Sequence, residues 1–399
     1  MTNGQIRRRR VYYIPGYDPF HPRRYRELYR KEGIAQAGIS GYALQLRSRQ
    51  TTGRYGWGVD TTIAGLQVHT DIDVLVWSDL VRASMGTSIV ATYLQLLRTA
   101  SVYIGSGALF RLMRLRKGPM IAALYPIGML LAQLAVAIAV TVVAALVAGP
   151  WMAGAGWPAL VLIPLILRWF RGHDRRLFAY YLMHDYAYSA RWSGANPPEL
   201  EARMAEFGQT LAAALAEDLD EVLVVGHSSG AHIAVSVLSD LIRAGKVPPG
   251  GPALGFLSLG QVVPMVSFLP KAGRLRADLA YLSASADLTW VDVTAPGDGC
   301  AFALCDPVSV TGVAPEGKRW PLVISAAFTQ SLSAQRWKEL RWRFFRLHFQ
   351  YLCAFDRPKD YDYFQITAGP LSLARRYAGR TASKSRIETA VNHHRSLAA

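Results

Sequence analysis

The sequence contains few cysteines and few acidic residues. Its 399 residues include three cysteines, Cys300, Cys305 and Cys353. This number excludes a disulfide framework and a four-cysteine zinc site, and it favours a reducing compartment. Asp and Glu number 28 against 44 Lys and Arg, which gives a formal net charge of +16. Such an excess of positive charge favours anionic partners and says little about the fold.

Charged side chains are absent from Gly118 to Leu167, a stretch of 50 residues. A membrane-spanning helix needs about 20 apolar residues, so this stretch can cross a bilayer twice. A turn rich in Gly, Pro and Trp at 149–158 divides it, and we predict a transmembrane helical hairpin over about 119–169. The second half is short and contains two prolines. A re-entrant segment and a buried hairpin of a soluble core are therefore the alternatives.

Basic residues flank the predicted hairpin on both sides. Arginines and a lysine lie at 111–117, and four arginines follow at 168–176. By the positive-inside rule, both ends and the domain they join face the cytoplasm. Further basic clusters suit an anionic lipid surface, although solvated helix faces have the same composition; they lie at 7–10, 23–31, 336–346 and 375–386.

Several other motifs are missing. The N-terminal basic residues are followed by an apolar run too short for a signal-peptide core, so we do not expect secretion. No zinc finger, aromatic RNA-binding motif or helix-turn-helix is present, and we expect no nucleic-acid partner. No metal-binding motif or dinucleotide-binding glycine loop occurs either, so we expect no metal ion and no cofactor.

The strongest chemical signal is a Gly-x-Ser-x-Gly pattern, Gly226-His227-Ser228-Ser229-Gly230. An apolar, β-branched run at 222–225 precedes it and predicts a buried strand, while helical spacing of apolar residues follows up to about Gly245. Glycines at both ends of such a strand-turn-helix let neighbouring backbone pass closely. The sequence here resembles the α/β-hydrolase superfamily, whose lipases and esterases often carry the Gly-His-Ser-x-Gly form.

The resemblance implies that Ser228 is a nucleophile and that an acid and a histidine follow it in the chain. Asp298, in a Pro-Gly-Asp-Gly loop after an apolar strand, is the preferred acid, with Asp292 and Asp306 in reserve. His348 is the preferred base, because His393 and His394 lie in a polar C-terminal segment. A core-packed histidine is the alternative for His348. Its spacing to Tyr351 also resembles class 3 lipases.

The superfamily also implies an oxyanion hole, formed by two backbone amides. The resemblance assigns the first to Ser229, directly after the nucleophile. The second would come from the loop after the first strand, at Gly16 or Tyr17. The superfamily's lipases often have His-Gly at this loop, and Pro15-Gly16 departs from that pattern.

The order of predicted elements indicates an α/β fold with a mostly parallel sheet of the α/β-hydrolase type, interrupted by a helical insertion. We divide the chain into a first part of that domain (1–80), the insertion (81–195), a second part with the catalytic residues (196–375) and a basic polar tail (376–399). Strands are predicted near 11–15, 41–48, 57–68 and 72–77 in the first part.

The sequence thus predicts a membrane-anchored serine hydrolase with Ser228, His348 and Asp298 as its triad. Its substrates would be acyl esters, including lipids, because the anchor and the basic surface favour amphipathic molecules. Two alternatives stay open: acyl transfer on the same fold, and a non-catalytic membrane scaffold.

Overall fold

An eight-stranded mixed sheet forms the centre of the computed structural model, which describes residues 5–49, 54–86, 88–151 and 156–398. The strands are β1 (Arg8–Ile14), β2 (Ala43–Arg47), β3 (Gly56–Ile63), β4 (Leu66–Val74), β5 (Glu221–His227), β6 (Ala253–Leu259), β7 (Thr289–Thr294) and β8 (Leu322–Ser325). Their spatial order is β2-β3-β4-β1-β5-β6-β7-β8. The six strands from β4 to β8 in that order run parallel, whereas β2 and β3 pair antiparallel at one side. The predicted mostly parallel α/β sheet is confirmed.

Helices connect these strands and cover both faces of the sheet. Before and within the insertion they are α1 (Arg23–Ser40), α2 (Ser78–Ser84), α3 (Ile89–Gly105), α4 (Ala108–Leu112), α5 (Lys117–Ala148), α6 (Gly156–Ala159), α7 (Leu162–Gly172), α8 (Asp174–Leu177) and α9 (Ala179–Arg191). After it come α10 (Pro198–Leu215), α11 (Gly230–Arg243), α12 (Val263–Ser267), α13 (Gly273–Ala284), α14 (Pro307–Thr311), α15 (Phe328–Ser331), α16 (Ala334–Leu340), α17 (Phe344–His348), α18 (Tyr363–Ala368) and α19 (Leu373–Arg376).

Alternating side chains of the central strands build two hydrophobic layers. In β5, Val222 and Val224 join the layer that contains α10, α11 and α13. Leu223 and Val225 point to the opposite face, where residues of α1 and α18 pack. Every residue of β5 is buried. A strand covered on both faces reads as a continuous apolar run, which is why the sequence revealed it so clearly.

The first half of the sheet departs from the predicted strand boundaries. The strand expected at 57–68 ends at Ile63, and Leu66 already begins β4, which ends at Val74 and not at residue 77. Ala64 and Gly65 form the intervening turn with φ values of 50° and 78°. The two-residue hairpin turn needs positive φ at both positions, and Ala at the first hides that signal in the sequence.

The insertion contains one helix that is long and apolar enough to cross a membrane, judged over the described residues by length and composition. This helix is α5, whose 32 residues extend about 48 Å. Only 22% of its most apolar window is buried in the protein, unlike a soluble core helix. The second half of the predicted hairpin contains α6 and the 11-residue α7, neither of which reaches that length alone. Residues 152–155 of the predicted turn lie outside the described residues.

The basic C-terminal segment packs against the domain. Ile387 forms a parallel bridge with Cys305, and the buried Asn392 donates a side-chain hydrogen bond to the carbonyl oxygen of Ser267. The segment therefore covers the loop after β7, where the predicted acid lies.

Candidate active site

Ser228 occupies the sharp turn between β5 and α11. Its φ is 56°, in the left-handed region that non-glycine residues rarely adopt, and its N–H donates to the carbonyl oxygen of Leu259 at 2.9 Å. A Cβ at Gly230 would overlap the carbonyl oxygen of Ile14, so glycine is required where α11 passes the end of β1. Strain at a single residue that its surroundings hold in place is typical of functional sites.

Asp298 and His348 are brought together at the carboxyl edge of the parallel sheet. Asp298 lies in the loop after β7, and His348 ends α17, beyond β8. The Nδ1–H of His348 donates to Asp298 Oδ2 at 2.7 Å, and both side chains are buried. Because β5, β7 and β8 run parallel, this edge is also the one at which Ser228 emerges.

The Asp298 carboxylate has further hydrogen-bond donors. The hydroxyl of Tyr351 donates to Asp298 Oδ2 at 3.0 Å and accepts from the N–H of Ala295 at 2.9 Å. The N–H of Cys300 donates to Asp298 Oδ1 at 2.9 Å. The carboxylate is therefore fixed by neighbouring backbone and by Tyr351, and it orients the imidazole of His348.

His348 is held on two other sides. The Nε2–H of His227 donates to the backbone oxygen of His348 at 3.0 Å, and the two rings lie 4.9 Å apart. Burial, followed by the nearby His348, lowers the pKa of His227 to about 3, so His227 is a neutral packing group and not a second base. Gly260 has a φ of 52°, and a Cβ there would come within 3.0 Å of His348 Cε1.

The reserve residues have other contacts. Asp292 lies inside β7 and accepts from Ser258 Oγ at 2.5 Å, and burial raises its pKa to about 8. Asp306 caps α14 and forms an ion pair with Lys318 at 2.6 Å. His393 and His394 lie in the C-terminal segment. Of the candidates considered, the structure pairs Asp298 with His348.

No hydrogen bond joins Ser228 Oγ to His348 among the described residues. Ser228 is half-buried, and the ring of its neighbour His227 packs at a tilt against the ring of His348. In unliganded enzymes the bond between nucleophile and base is often long and tightens once substrate binds.

Three backbone amides point to an anion site beside Ser228. Gly16, Tyr17 and Ser229 are buried, and their N–H groups have no acceptor among the described residues. Buried amides are almost always paired, so three amides beside Ser228 without an acceptor among the described residues can donate to an anion. A Cβ at Gly16 would lie 2.9 Å from Ser228 Cβ, which places that loop directly against the serine. Trp77 Nε1 donates to the oxygen of Pro15 at 2.9 Å and fixes it.

Two further residues lie near the site and were not predicted as site residues from the sequence: Asp185 and Cys300. Burial raises the pKa of the Asp185 carboxyl, on α9, to about 7, against the opposing effect of nearby His348. Burial, followed by the nearby carboxylates of Asp298 and Asp185, raises the pKa of the Cys300 thiol well above its usual value. No local motif marks Asp185, because only the packing of the insertion brings it to the sheet.

Donor atoms of Asp298, Cys300 and His348 lie within 4.8 Å of one another, close enough to share a metal ion. The fit is poor, because His348 Nδ1 is already bonded to Asp298. The raised pKa of the half-buried Cys300 thiol also favours its protonated form, whereas a metal binds thiolate. The arrangement instead suits proton transfer at the outward nitrogen of His348.

No protein-family model, curated protein or solved structure matched this chain when it was compared with each.

Proposed function

We propose that this protein is a membrane-anchored serine hydrolase that cleaves acyl esters, including lipids, with Ser228, His348 and Asp298 as its catalytic residues. The observation that carries the proposal is the 2.7 Å hydrogen bond between buried Asp298 and His348 at the sheet edge where the strained Ser228 lies. A histidine oriented by a carboxylate, near a serine held at a strand-to-helix turn, is the arrangement that activates a serine nucleophile.

In the proposed reaction, Ser228 Oγ attacks the ester carbonyl carbon while His348 Nε2 takes its proton. Asp298 holds the Nδ1–H of His348 and stabilises the imidazolium. The amides of Ser229 and Gly16 or Tyr17 donate to the carbonyl oxygen as it becomes negative. His348 then gives its proton to the leaving alcohol, and water, activated by His348, releases the acyl group from Ser228.

The proposed membrane arrangement is a two-pass hairpin with the catalytic domain in the cytoplasm. Residues 156–172 form α6, a two-residue turn and α7. At the rise per residue of an α-helix this segment would extend about 25 Å, close to the thickness of a bilayer core. Trp151 and Trp157, near the tip, are 89% and 79% exposed, and tryptophan favours the membrane boundary. The exposed apolar side chains of α5 would otherwise contact water.

A covalent probe tests the catalytic proposal directly. Purified, detergent-solubilised protein is treated with a fluorophosphonate, and the modified peptide is identified by mass spectrometry. We expect labelling at Ser228 that is lost in Ser228→Ala and in His348→Ala. His393→Ala is the matched control and should label like the wild type, because His393 is exposed and outside the site.

Two other results of the labelling experiment would change the proposal. If the folded wild type does not label, the protein is a non-catalytic scaffold and the proposal fails. If labelling occurs but added alcohols or amines capture the acyl group in preference to water, the reaction is acyl transfer.

A further inference from the structure

A cleft of about 1260 Å³ lies between the insertion and the sheet domain. Residues of α1 and of the 336–353 segment form one side, and residues 171–184 of the insertion form the other. Ser228 and His348 do not line it. Phe349 does, and its ring packs on the ring of His227 with centroids 5.1 Å apart. The cleft therefore adjoins the candidate active site through Phe349.

Part of the cleft wall is apolar and aromatic. The rings of Phe178 and Phe345 pack in a tilted arrangement with centroids 4.9 Å apart, and Leu28 and Leu340 add aliphatic surface. Phe178 has a φ of 55° at the junction of α8 and α9, which is a strained position for a residue of its size. The surface is suited to an apolar chain several carbons long.

The rest of the lining is strongly charged. Six cationic side chains line the cleft: Arg24, Lys31, Arg171, Arg336, Arg343 and Arg346. Its four acidic residues already have partners within the protein: Asp18 pairs with Arg24, Glu32 with Arg336, Asp174 accepts from backbone N–H groups of α9, and Glu339 accepts from Gln335.

Three of these arginines lack an acidic partner within the part of the chain that the structure describes. They are Arg171, Arg343 and Arg346, the last two exposed and the first half-buried. A guanidinium group presents a fork of donors that matches a carboxylate or phosphate. Arg171 lies in the last turn of α7, at the base of the proposed membrane hairpin, so the cationic lining reaches the expected membrane surface.

We propose that this cleft binds the anionic group, a carboxylate or a phosphate, of an amphipathic acyl ester whose chain packs against the aromatic wall. This inference deepens the proposed hydrolase function and depends on it for the catalytic step. The anionic ester is either a membrane lipid with a phosphate headgroup or a soluble molecule, and the same arginines recognise both.

The catalytic arm compares two esters that differ only in a terminal charge, p-nitrophenyl octanoate and mono-p-nitrophenyl suberate. The full chain is reconstituted in nanodiscs of zwitterionic phosphatidylcholine. We expect the ratio of kcat/KM for suberate over octanoate to be about ten in the wild type, since one well-placed charge contact is enough for a tenfold preference. The double variant Arg343→Glu/Arg346→Glu should abolish that preference. Arg341→Glu, in the same segment but outside the cleft, should keep it.

The binding arm does not require turnover. Calorimetry of the Ser228→Ala protein should show octyl phosphate binding more tightly than octyl glucoside, and the double charge reversal should remove the difference while Arg341→Glu retains it. If nanodiscs containing phosphatidylglycerol weaken octyl phosphate binding, a lipid headgroup occupies the cleft; if they do not, the natural anion is soluble.

The failures of the two proposals are distinguishable. Hydrolysis of both esters at equal rates, together with equal binding of the two amphiphiles, overturns the cleft assignment and leaves the hydrolase intact. Absence of all hydrolysis with selective octyl phosphate binding overturns the hydrolase and leaves an anion-binding cleft without catalysis.

Discussion

At the scale of single residues, the site contains more than the three proposed catalytic groups. Neighbouring residues hold Asp298 and His348 in place through hydrogen bonds. Tyr351 and Cys300 fix the carboxylate of Asp298, while His227 fixes the backbone of His348. A histidine at the end of a five-residue helix is poorly constrained by its own element. The surrounding contacts therefore decide whether its ring stays in the productive orientation.

Gly260→Ala tests this dependence. The added Cβ would press within 3.0 Å of His348 and 2.8 Å of Tyr351, at a φ of 52°. We expect the rate of fluorophosphonate labelling to fall about 100-fold, the cost of misplacing a catalytic group by roughly 1 Å. Unfolding in urea should show a loss of about 1–2 kcal/mol in stability.

Gly245→Ala is the matched control. Its φ is 63°, but a Cβ there meets nothing within 4 Å, so it carries the backbone strain without the contact. Equal loss of labelling in both variants would show that strain, and not displacement of His348, is responsible.

At the scale of secondary-structure elements, α5 differs from the helices around it because most of its apolar side chains face outward. Helices α10 and α11 bury apolar faces against the sheet, whereas α5 exposes apolar residues along most of its length. Chemical labelling from one side of the membrane can show on which side the tip of the predicted hairpin lies.

A cysteine at position 151 tests the topology. In a cysteine-free background expressed in cells, Trp151→Cys should react with a membrane-impermeant maleimide added outside, because a two-pass hairpin exposes its tip there. Lys384→Cys, on the exposed C-terminal segment, should react only after the cells are opened. Protection of position 151 until lysis would indicate a re-entrant segment.

Local sequence patterns marked some elements of the fold and left others unmarked. The β5 run and the turn at Ser228 could be predicted, because local periodicity and turn chemistry mark them. The order of serine, acid and histidine came only from the resemblance to α/β-hydrolases and stays a prediction. The pairing of Asp298 with His348 was a choice among candidates that only tertiary structure could decide. The turn at Ala64 and the position of Asp185 could not be predicted, since Ala carries no turn signal and α9 reaches the sheet through packing alone.

At the scale of the whole molecule, buried carboxyl groups make the stability of the fold depend on pH. Asp292 is fully buried in the central sheet, and burial raises its pKa to about 8. Its Oδ2 has no hydrogen-bond partner among the residues that the structure describes. Between the ordinary aspartate pKa of 3.8 and about 8, the folded protein keeps this proton while the unfolded chain has lost it. The contribution of Asp292 to folding stability therefore falls as the pH rises through that range.

Asp292→Asn should remove this dependence. The amide oxygen can still accept from Ser258, and no charge must be buried. We expect the difference in Tm between the variant and the wild type to grow in favour of the variant from pH 5 to pH 9. Asp218→Asn, at a side chain that is 99% exposed, should give a constant difference. A constant difference for Asp292→Asn would show that the buried group is already charged at pH 5.

The pairing of β1 with β5 joins strands that are synthesised far apart in time, because the ribosome makes the chain from its N-terminus. Val11 aligns with Leu223, and the entire insertion lies between them in the chain. A ribosome therefore delivers the uncharged stretch 118–167 before it delivers β5, the strand that ends beside Ser228. Long-range pairing of this kind forms late in folding. In the proposed membrane arrangement, the hairpin would enter the bilayer before the sheet closes, and the sheet edge beside Ser228 would be completed last.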